Sequence, residues 1–160
     1  MIDDCDGHDP DRAILACRAL IASGTETQAG LSATHMMLGI AYIRKQRWAE
    51  AIPELDQAIA LDTDGSHKFG LYLSRATAHN ANCQLDAAID DDNRAIALKP
   101  NDASPYFGRG LVWLRKGDVA RARADFAQAH RMEPATYPTP EQAFASPRPP
   151  ACPKAVAPRG

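Results

Sequence analysis

The chain repeats itself with a period of about 34 residues, and this period restricts the fold more than any other feature of the sequence. Two segments end alike, in Ala-Leu-Lys-Pro at 97–100 and in Arg-Met-Glu-Pro at 131–134, so closing prolines stand at positions 100 and 134. Small residues recur in the same register, with Ala76, Ala88 and Ala95 corresponding to Gly110, Ala122 and Ala129. Such a period is typical of chains that stack copies of one supersecondary unit.

An earlier segment follows the same pattern and contains an insertion. Its matching residues are Gly39, Tyr42, Ala51, Leu55 and Ala58. The interval from Ala58 to Ala95 is three residues longer than the period, so three residues have been added. The addition falls in the polar stretch 62–68, which predicts a turn. An insertion is tolerated there because it shifts no contact between helices.

Each unit contains two apolar stretches separated by a short polar break. Within a stretch, large residues recur at spacings of three and four, as Leu38 and Tyr42 do before the break, and Ile52, Leu55 and Ile59 do after it. This spacing gives each stretch one apolar helical face. The breaks are at 45–47, 81–84 and 116–118. The unit is therefore predicted to be a helix–turn–helix that buries its apolar faces by stacking on its neighbours.

These units resemble the tetratricopeptide repeat family, and particularly its bacterial members. In the third unit the family's signature positions are occupied by Tyr106, Gly110, Trp113, Ala122, Phe126, Ala129 and Pro134. The first unit lacks only the closing proline, where Thr63 stands. The resemblance covers about residues 32–134. It implies an all-α fold, a short right-handed α-solenoid of about three units preceded by a half-repeat helix.

The predicted organisation divides the chain into five parts. These are an N-terminal segment with a capping half-repeat helix (1–31), three units (32–68, 69–102 and 103–134) and a proline-rich tail (135–160). In the first part, Asp9 and Pro10 predict the start of a helix over 11–22, and Gly24 predicts its end. This helix is expected to cover the open face of the first unit.

The tail holds seven of the chain's twelve prolines, so it is expected to be extended or disordered. One exception is a short helix begun by Thr139 and Pro140, which would lay Phe144 against the last unit as a partial cap. A weaker alternative for the tail is a proline-rich ligand for a groove-type domain.

The resemblance also implies where a partner binds, because the first helices of successive units line the concave surface in this family. The positions so implied are Met36, Ile40, Ile43, Arg44, Leu73, Thr77, Asn80, Ala81, Phe107, Leu111, Leu114 and Arg115. Most are apolar, and exposed apolar stripes mark interaction surfaces. We therefore expect a protein–protein interaction module or scaffold, whose ligand is an apolar or amphipathic helical peptide oriented partly by Arg44 and Arg115.

Two alternatives to this interpretation stand beside it. The stripe is equally well explained if a second copy of the chain, the N-terminal helix or the tail covers it, which describes a self-associating structural subunit. Some family members bind the acidic C-terminus of a chaperone through a lysine, asparagine and arginine clamp. Met36 and Ile40 stand where that clamp needs polar groups, which argues against that ligand.

Catalysis is not indicated by any constellation of residues. There is no glycine-rich phosphate loop, no His-Glu-x-x-His and no Cys-x-x-Cys, so neither an enzyme nor a metal site nor a cofactor is expected. In the second unit, His79 and Asp92 replace residues that are usually aromatic and apolar. A buried Asp92 needs a partner, for which Tyr72, Arg109 and, with less support, His79 are candidates. The run 90–92 is interpreted as a solvated face with one inward residue.

Charge and hydropathy exclude further classes of partner. The net charge of −2 and the pI of about 6.2 give no basic footprint for nucleic acid. No stretch approaches the ~20 apolar residues that a membrane span needs.

The first cysteines bear on the compartment. The stretch from Cys5 to Cys17 resembles the start of certain bacterial tetratricopeptide proteins, many of them exported, and the resemblance implies a disulfide between these two residues. That bond would place the protein in an oxidising compartment and imply that a signal sequence is missing. The alternative is two reduced thiols in a cytoplasmic protein, because the acidic N-terminus carries no apolar signal region. Cys83 and Cys152 have no partner nearby in the sequence.

Overall fold

The computed structural model describes Cys5, residues 7–146 and Cys152, and within that part of the chain it contains eight α-helices and no strand. The helices are α1 (Pro10–Ser23), α2 (Gln28–Arg44), α3 (Trp48–Leu61), α4 (Lys68–Ala81), α5 (Leu85–Leu98), α6 (Ser104–Lys116), α7 (Val119–Met132) and α8 (Pro140–Ala145). The prediction of an all-α fold built from helix–turn–helix units is confirmed. None of the described helices is both long enough and apolar enough to cross a membrane.

Local sequence determines where α1 begins and ends. The carboxylate of Asp9 accepts a hydrogen bond from the backbone N–H of Asp11 at 2.9 Å, and Pro10 fills the first helical position. Gly24 ends the helix with a φ of 64°. A glycine takes this left-handed conformation without steric cost. The predicted caps at Asp9 and Gly24 are confirmed.

The turn inside each helical hairpin uses the same left-handed position. Gln46, Cys83 and Gly117 have φ angles of 57°, 62° and 85°. These residues lie in the three polar breaks of the sequence, so the predicted turns are in register. A left-handed residue after a helix redirects the chain and satisfies the last carbonyls. In the third hairpin, for example, the N–H of Gly117 donates to the carbonyl of Leu114 at 3.1 Å.

The helices form two compact units, one over Met1–Pro100 and the other over Asn101–Gly160. In the first unit, α1 packs on α2, α2 on α3, α3 on α4 and α4 on α5. In the second unit, α7 packs on both α6 and α8. Fully buried alanines allow paired helices to approach closely, as Ala51 and Ala58 do in α3 and Ala122 and Ala129 do in α7.

Glycine is required where paired helices come closest. A Cβ added at Gly110 of α6 would lie 2.7 Å from the Phe126 ring of α7. A Cβ at Gly39 of α2 would lie 2.8 Å from Leu55 of α3. Both distances are shorter than a van der Waals contact. The two residues therefore permit an interhelical approach that alanine would prevent.

The insertion after α3 forms the predicted turn. Asp62 is 4% exposed, and its carboxylate accepts a hydrogen bond from the backbone N–H of His67 at 3.2 Å. Asp64 accepts from the backbone N–H of Ser66 at 2.9 Å. This hydrogen bond is the main reason that the pKa of Asp64 is below its ordinary value. Local bonds of this kind stabilise turns.

The tail contains the predicted short helix. Thr139 and Gln142 form a reciprocal capping box at the start of α8, which follows Pro140 as expected. The Phe144 ring meets the Phe126 ring edge-on, with centroids 5.6 Å apart. The segment 140–145 is thus ordered helix. The predicted disorder of residues 147–151 and 153–160 concerns positions outside the described part of the chain.

Candidate functional site

The inner face of the first compact unit is formed by α2 and α4, which contact each other. Met36 and Ile43 of α2 are half-buried and pack against a cluster that includes Leu71 of α4. Both residues therefore contribute part of their side chains to holding the two helices together. The remaining part faces outward and is what a partner would meet.

The accessible part of this face combines one apolar and two polar side chains. Ile40 is 38% exposed, and Thr77 and Arg44 are also exposed. Leu73 and Asn80 are half-buried. Below, the term inner face means these seven positions: Met36, Ile40, Ile43, Arg44, Leu73, Thr77 and Asn80.

Arg44 already has contacts within the chain. Its guanidinium donates hydrogen bonds to the backbone carbonyl of Gly7, at 3.2 Å, and to that of His8. Next to it, the ammonium of Lys45 pairs with the carboxylate of Asp11 at 2.9 Å. The end of α2 therefore holds the segment that precedes α1. Its described residues, Cys5 and 7–9, are called the leading chain below. The family resemblance implied that Arg44 is a groove residue and gave no indication of these contacts.

A disulfide fastens that leading chain at its other end. Cys5 is bonded to Cys17 of α1, with the two Cα atoms 5.0 Å apart. Both residues are buried, at 2% and 0% exposure. In the chain-entropy model, closing a loop of this size stabilises the fold by about 3 kcal/mol.

A pocket of about 170 Å³ lies between the leading chain and α2. Its lining consists of Cys5, Gly7, Ala13, Met37, Ile40, Ala41 and Arg44. Among the described residues of this lining, Arg44 is the one that carries a charge. These residues thus combine apolar side chains with one cation, and the disulfide holds Cys5 among them.

The corresponding positions of the second compact unit are packed by the chain itself. Phe107 and Leu111 of α6 pack against a cluster formed by Leu114, Phe126 and residues of α7 and α8. The Tyr137 ring lies 5.1 Å from the Phe107 ring. Burial also raises the pKa of Tyr137.

Leu114 requires a correction. The sequence placed it on a partner-binding surface, but its exposure is 7% and it belongs to the cluster that α8 helps to form. A side chain enclosed in this way offers no surface to a partner while α8 stays in place. Arg115 is half-buried. Within this unit, Phe107, Leu111 and Arg115 keep partial exposure.

Ion pairs between the two helices of a hairpin were not predicted from the sequence. Arg75 of α4 makes two hydrogen bonds to the carboxylate of Asp91 on α5, at 2.8 and 2.6 Å. Arg109 of α6 makes the same two bonds to Asp125 on α7, both at 2.8 Å. Arginine and aspartate each recur at the same place in the next unit, so the repeat itself carried the signal. The bonds to Asp91, and a further one to Asp56, raise the pKa of Arg75 above its ordinary value.

In the first hairpin, a histidine takes the place of the arginine in the pair between the two helices. The carboxylate of Glu54 on α3 stands at the repeat position of Asp91. Its partner is the Nδ1 atom of His35 on α2, at 2.7 Å. Each hairpin thus carries one acid on its second helix and one nitrogen base on its first. These pairs join helices, and they do not resemble a catalytic site.

The acidic run in α5 differs from its prediction. Asp91 and Asp92 are both 2% exposed, so two residues of the run point inward instead of one. His79 contacts the side chain of Gln84 at 2.6 Å, and its nearest carboxylate is that of Asp91, at 3.8 Å.

A family model for tetratricopeptide repeats matches this chain over residues 6–66, 36–103 and 94–137. The chain belongs to the tetratricopeptide repeat family. The first matched segment includes all of α1 with Cys17 and begins one residue after Cys5.

Several known proteins are similar to it in sequence or in fold. DnaJ homolog subfamily C member 3 of Rattus norvegicus is 29% identical over 100 residues, which cover 62% of this chain and 19% of that protein. A crystal structure of MamA is 26% identical with a TM-score of 0.70, covering 80% of this chain and 71% of that one. YrrB, described as a tetratricopeptide protein with an unusual peptide-binding site, is 16% identical with a TM-score of 0.75, covering 86% and 66%.

The described residues of this tetratricopeptide protein contain no group of three or more histidines, cysteines, aspartates or glutamates placed to hold a metal ion. The sulfur of Cys5 is bonded to that of Cys17. The inner face presents the apolar side chain of Ile40 beside the charged side chain of Arg44.

Proposed function

We propose that this chain is a non-catalytic protein–protein interaction module that binds a peptide or a segment of a partner protein on the inner face. The observation that supports it is the exposure of Ile40 beside Arg44 and Thr77. Here the two neighbouring helices α2 and α4 leave apolar and polar side chains accessible together. A mixed surface of this kind suits an amphipathic ligand.

Family membership supports the class of function and leaves the ligand open. YrrB has the same fold and a peptide-binding site by its description. At 16% identity this likeness concerns the fold. Because one fold carries many functions, the ligand has to be argued from the side chains of this chain.

A second candidate function is a self-associating structural subunit. The packing of Tyr137, Phe144 and α8 against Phe107 and Leu111 supports it in part, since the chain covers its own apolar residues there. Under this alternative, a second copy of the chain would cover the inner face of the first unit.

Affinity capture with a matched pair of variants tests the proposal. Ile40→Asp places a charge on the inner face, whereas Leu15→Asp makes the same change at a residue of α1 that is 71% exposed. Substituting Leu111 or Leu114 is less informative, because both belong to a packed cluster and the fold would suffer. Circular dichroism checks that both variants are helical.

A partner that binds wild type and Leu15→Asp but not Ile40→Asp supports the proposed function. Sedimentation of the same proteins tests the alternative. A dimer of the wild type that Ile40→Asp dissociates would replace the first function with the second. Retention of every partner by Ile40→Asp contradicts both.

A further inference from the structure

We infer that the pocket between the leading chain and α2 binds an amphipathic helix of a partner that carries an apolar residue and a carboxylate one turn apart. The inference rests on the proposed function and specifies its ligand. It depends on three features: the volume of the pocket, the position of its cation and the bond that holds its outer wall.

The volume of the pocket sets the size of the group that enters. About 170 Å³ is open between Cys5, Gly7 and the α2 residues. An apolar cavity of roughly 150 Å³ holds a benzene molecule. One leucine, methionine or phenylalanine side chain is therefore of the right size for this pocket.

The position of Arg44 sets the second requirement. Ile40 and Arg44 are four residues apart on α2, and side chains at this spacing lie about 5–6 Å apart on one helical face. A partner helix repeats that spacing when a carboxylate follows an apolar residue by one turn. The apolar side chain then meets Ile40 while the carboxylate meets the guanidinium.

The contacts of Arg44 prepare it for this role. Its hydrogen bonds to the carbonyls of Gly7 and His8 fix the side chain in the lining of the pocket. These acceptors are neutral, so they orient the cation without cancelling its charge. A cation that is already oriented loses less side-chain entropy when an anion binds.

Formation of the pocket depends on the disulfide. Cys5 and Gly7 belong to the leading chain, and Cys17 ties that chain to α1. Without the bond, the leading chain is held by its hydrogen bonds to Arg44 and by the exposed pair of Asp11 with Lys45. Exposed ion pairs contribute little. Removal of the bond is thus expected to open the wall and weaken binding of the apolar side chain.

The test uses synthetic alanine-rich helical peptides of about 18 residues, long enough to be helical in water. One peptide carries leucine and glutamate one turn apart, a second carries leucine and glutamine, and a third carries alanine and glutamate. Binding is followed by NMR through the backbone amides of Ala13, Ile40 and Ala41. We expect the leucine–glutamate peptide to bind about five-fold more tightly than the leucine–glutamine peptide, as an ion pair at a surface allows.

Variants of the protein show which residues account for the preference for glutamate and which for the binding of leucine. Arg44→Gln should remove the preference for glutamate, whereas Lys45→Gln, the neighbouring cation, should keep it. Cys5→Ala combined with Cys17→Ala should weaken both leucine peptides. If that double variant does not fold, Ile40→Ser with the disulfide intact should produce the same loss.

Several results would overturn the inference. They are no shift of these amides with any peptide, equal binding of the leucine and alanine peptides, or a preference for glutamate that survives Arg44→Gln. The proposed function can be judged separately. If Ile40→Asp still loses a captured partner while no peptide enters the pocket, the inner face binds partners but the pocket is not the site.

Discussion

Arg75 and Asp91 form a buried ion pair with two hydrogen bonds between α4 and α5, and the side chains are 13% and 3% exposed. The same arrangement returns one repeat later in Arg109 and Asp125. In a family whose hairpins are usually described by their small and apolar residues, this chain adds a repeated polar bond at the same interface.

Removal of Arg75 should therefore be costly. Arg75→Leu leaves the carboxylate of Asp91 buried without its main partner, and breaking a buried pair in this way costs about 3–5 kcal/mol. The free energy of unfolding in urea measures the effect. Arg75→Leu combined with Asp91→Leu is the control, because it removes both charges and should restore most of the loss. A single variant as stable as wild type would show that the pair is not needed.

The repeat predicted the fold well because its information is local. Period, turn residues and caps each depend on a few neighbouring positions, such as Asp9 with Pro10 or Gly117 after a helix. The Arg75–Asp91 pair was missed because the run 90–92 contains three identical residues. Which of them points inward depends on the rotation of α5 against α4, and that rotation is indicated only by the recurrence of arginine and aspartate one repeat later.

The site was predicted less well for a similar reason. Ile40 and Thr77, which the family resemblance implied as groove positions, are exposed, but the contacts of Arg44 join it to residues 36 and 37 positions earlier in the chain. Leu114 has groove spacing and is nevertheless buried under α8. Spacing predicts which face of a helix a residue occupies. It does not predict which distant segment lies on that face.

Gly110→Ala should destabilise the protein although alanine is the better helix former. The added Cβ would lie 2.7 and 2.8 Å from two atoms of the Phe126 ring and 3.3 Å from the Asp125 Cβ. Overpacking of this kind costs about 1–3 kcal/mol, which exceeds the gain in helix propensity of about 1 kcal/mol. Thermal unfolding monitored by circular dichroism provides the measurement.

Gly70→Ala is the matched control for that substitution. Gly70 lies in α4, is exposed, and a Cβ built there has no atom within 4 Å. We expect a rise in stability of about 0.5–1 kcal/mol. If both alanine variants were more stable than wild type, the close contact of α6 with α7 would not require glycine at position 110.

Substitutions at two left-handed turn residues, Gln46 and Gly117, should change the stability of the protein in opposite directions. Gln46 adopts a φ of 57°, which costs a residue with a Cβ about 1–2 kcal/mol. Gln46→Gly should therefore stabilise the first hairpin by about 0.5–1 kcal/mol after the entropy of glycine is subtracted. Gly117→Ala should destabilise the third hairpin by a similar amount. Urea unfolding of the two variants tests the pair, and changes of the same sign would contradict it.

Acid should loosen α8 from α7. A backbone hydrogen bond within Glu141 and then the ion pair with Arg123, at 2.5 Å, lower the pKa of Glu141 below its ordinary 4.5. Because the folded-state pKa is the lower one, this contribution is complete above pH 4.5 and is lost as the pH falls through the folded-state pKa. The NMR signals of the Phe144 ring, followed from about pH 6 to about pH 3, report whether the ring still contacts Phe126. Glu141→Gln is the control, since glutamine cannot titrate and its variant should show a smaller change over that range. Identical pH profiles for the two proteins would mean that other groups hold α8 in place.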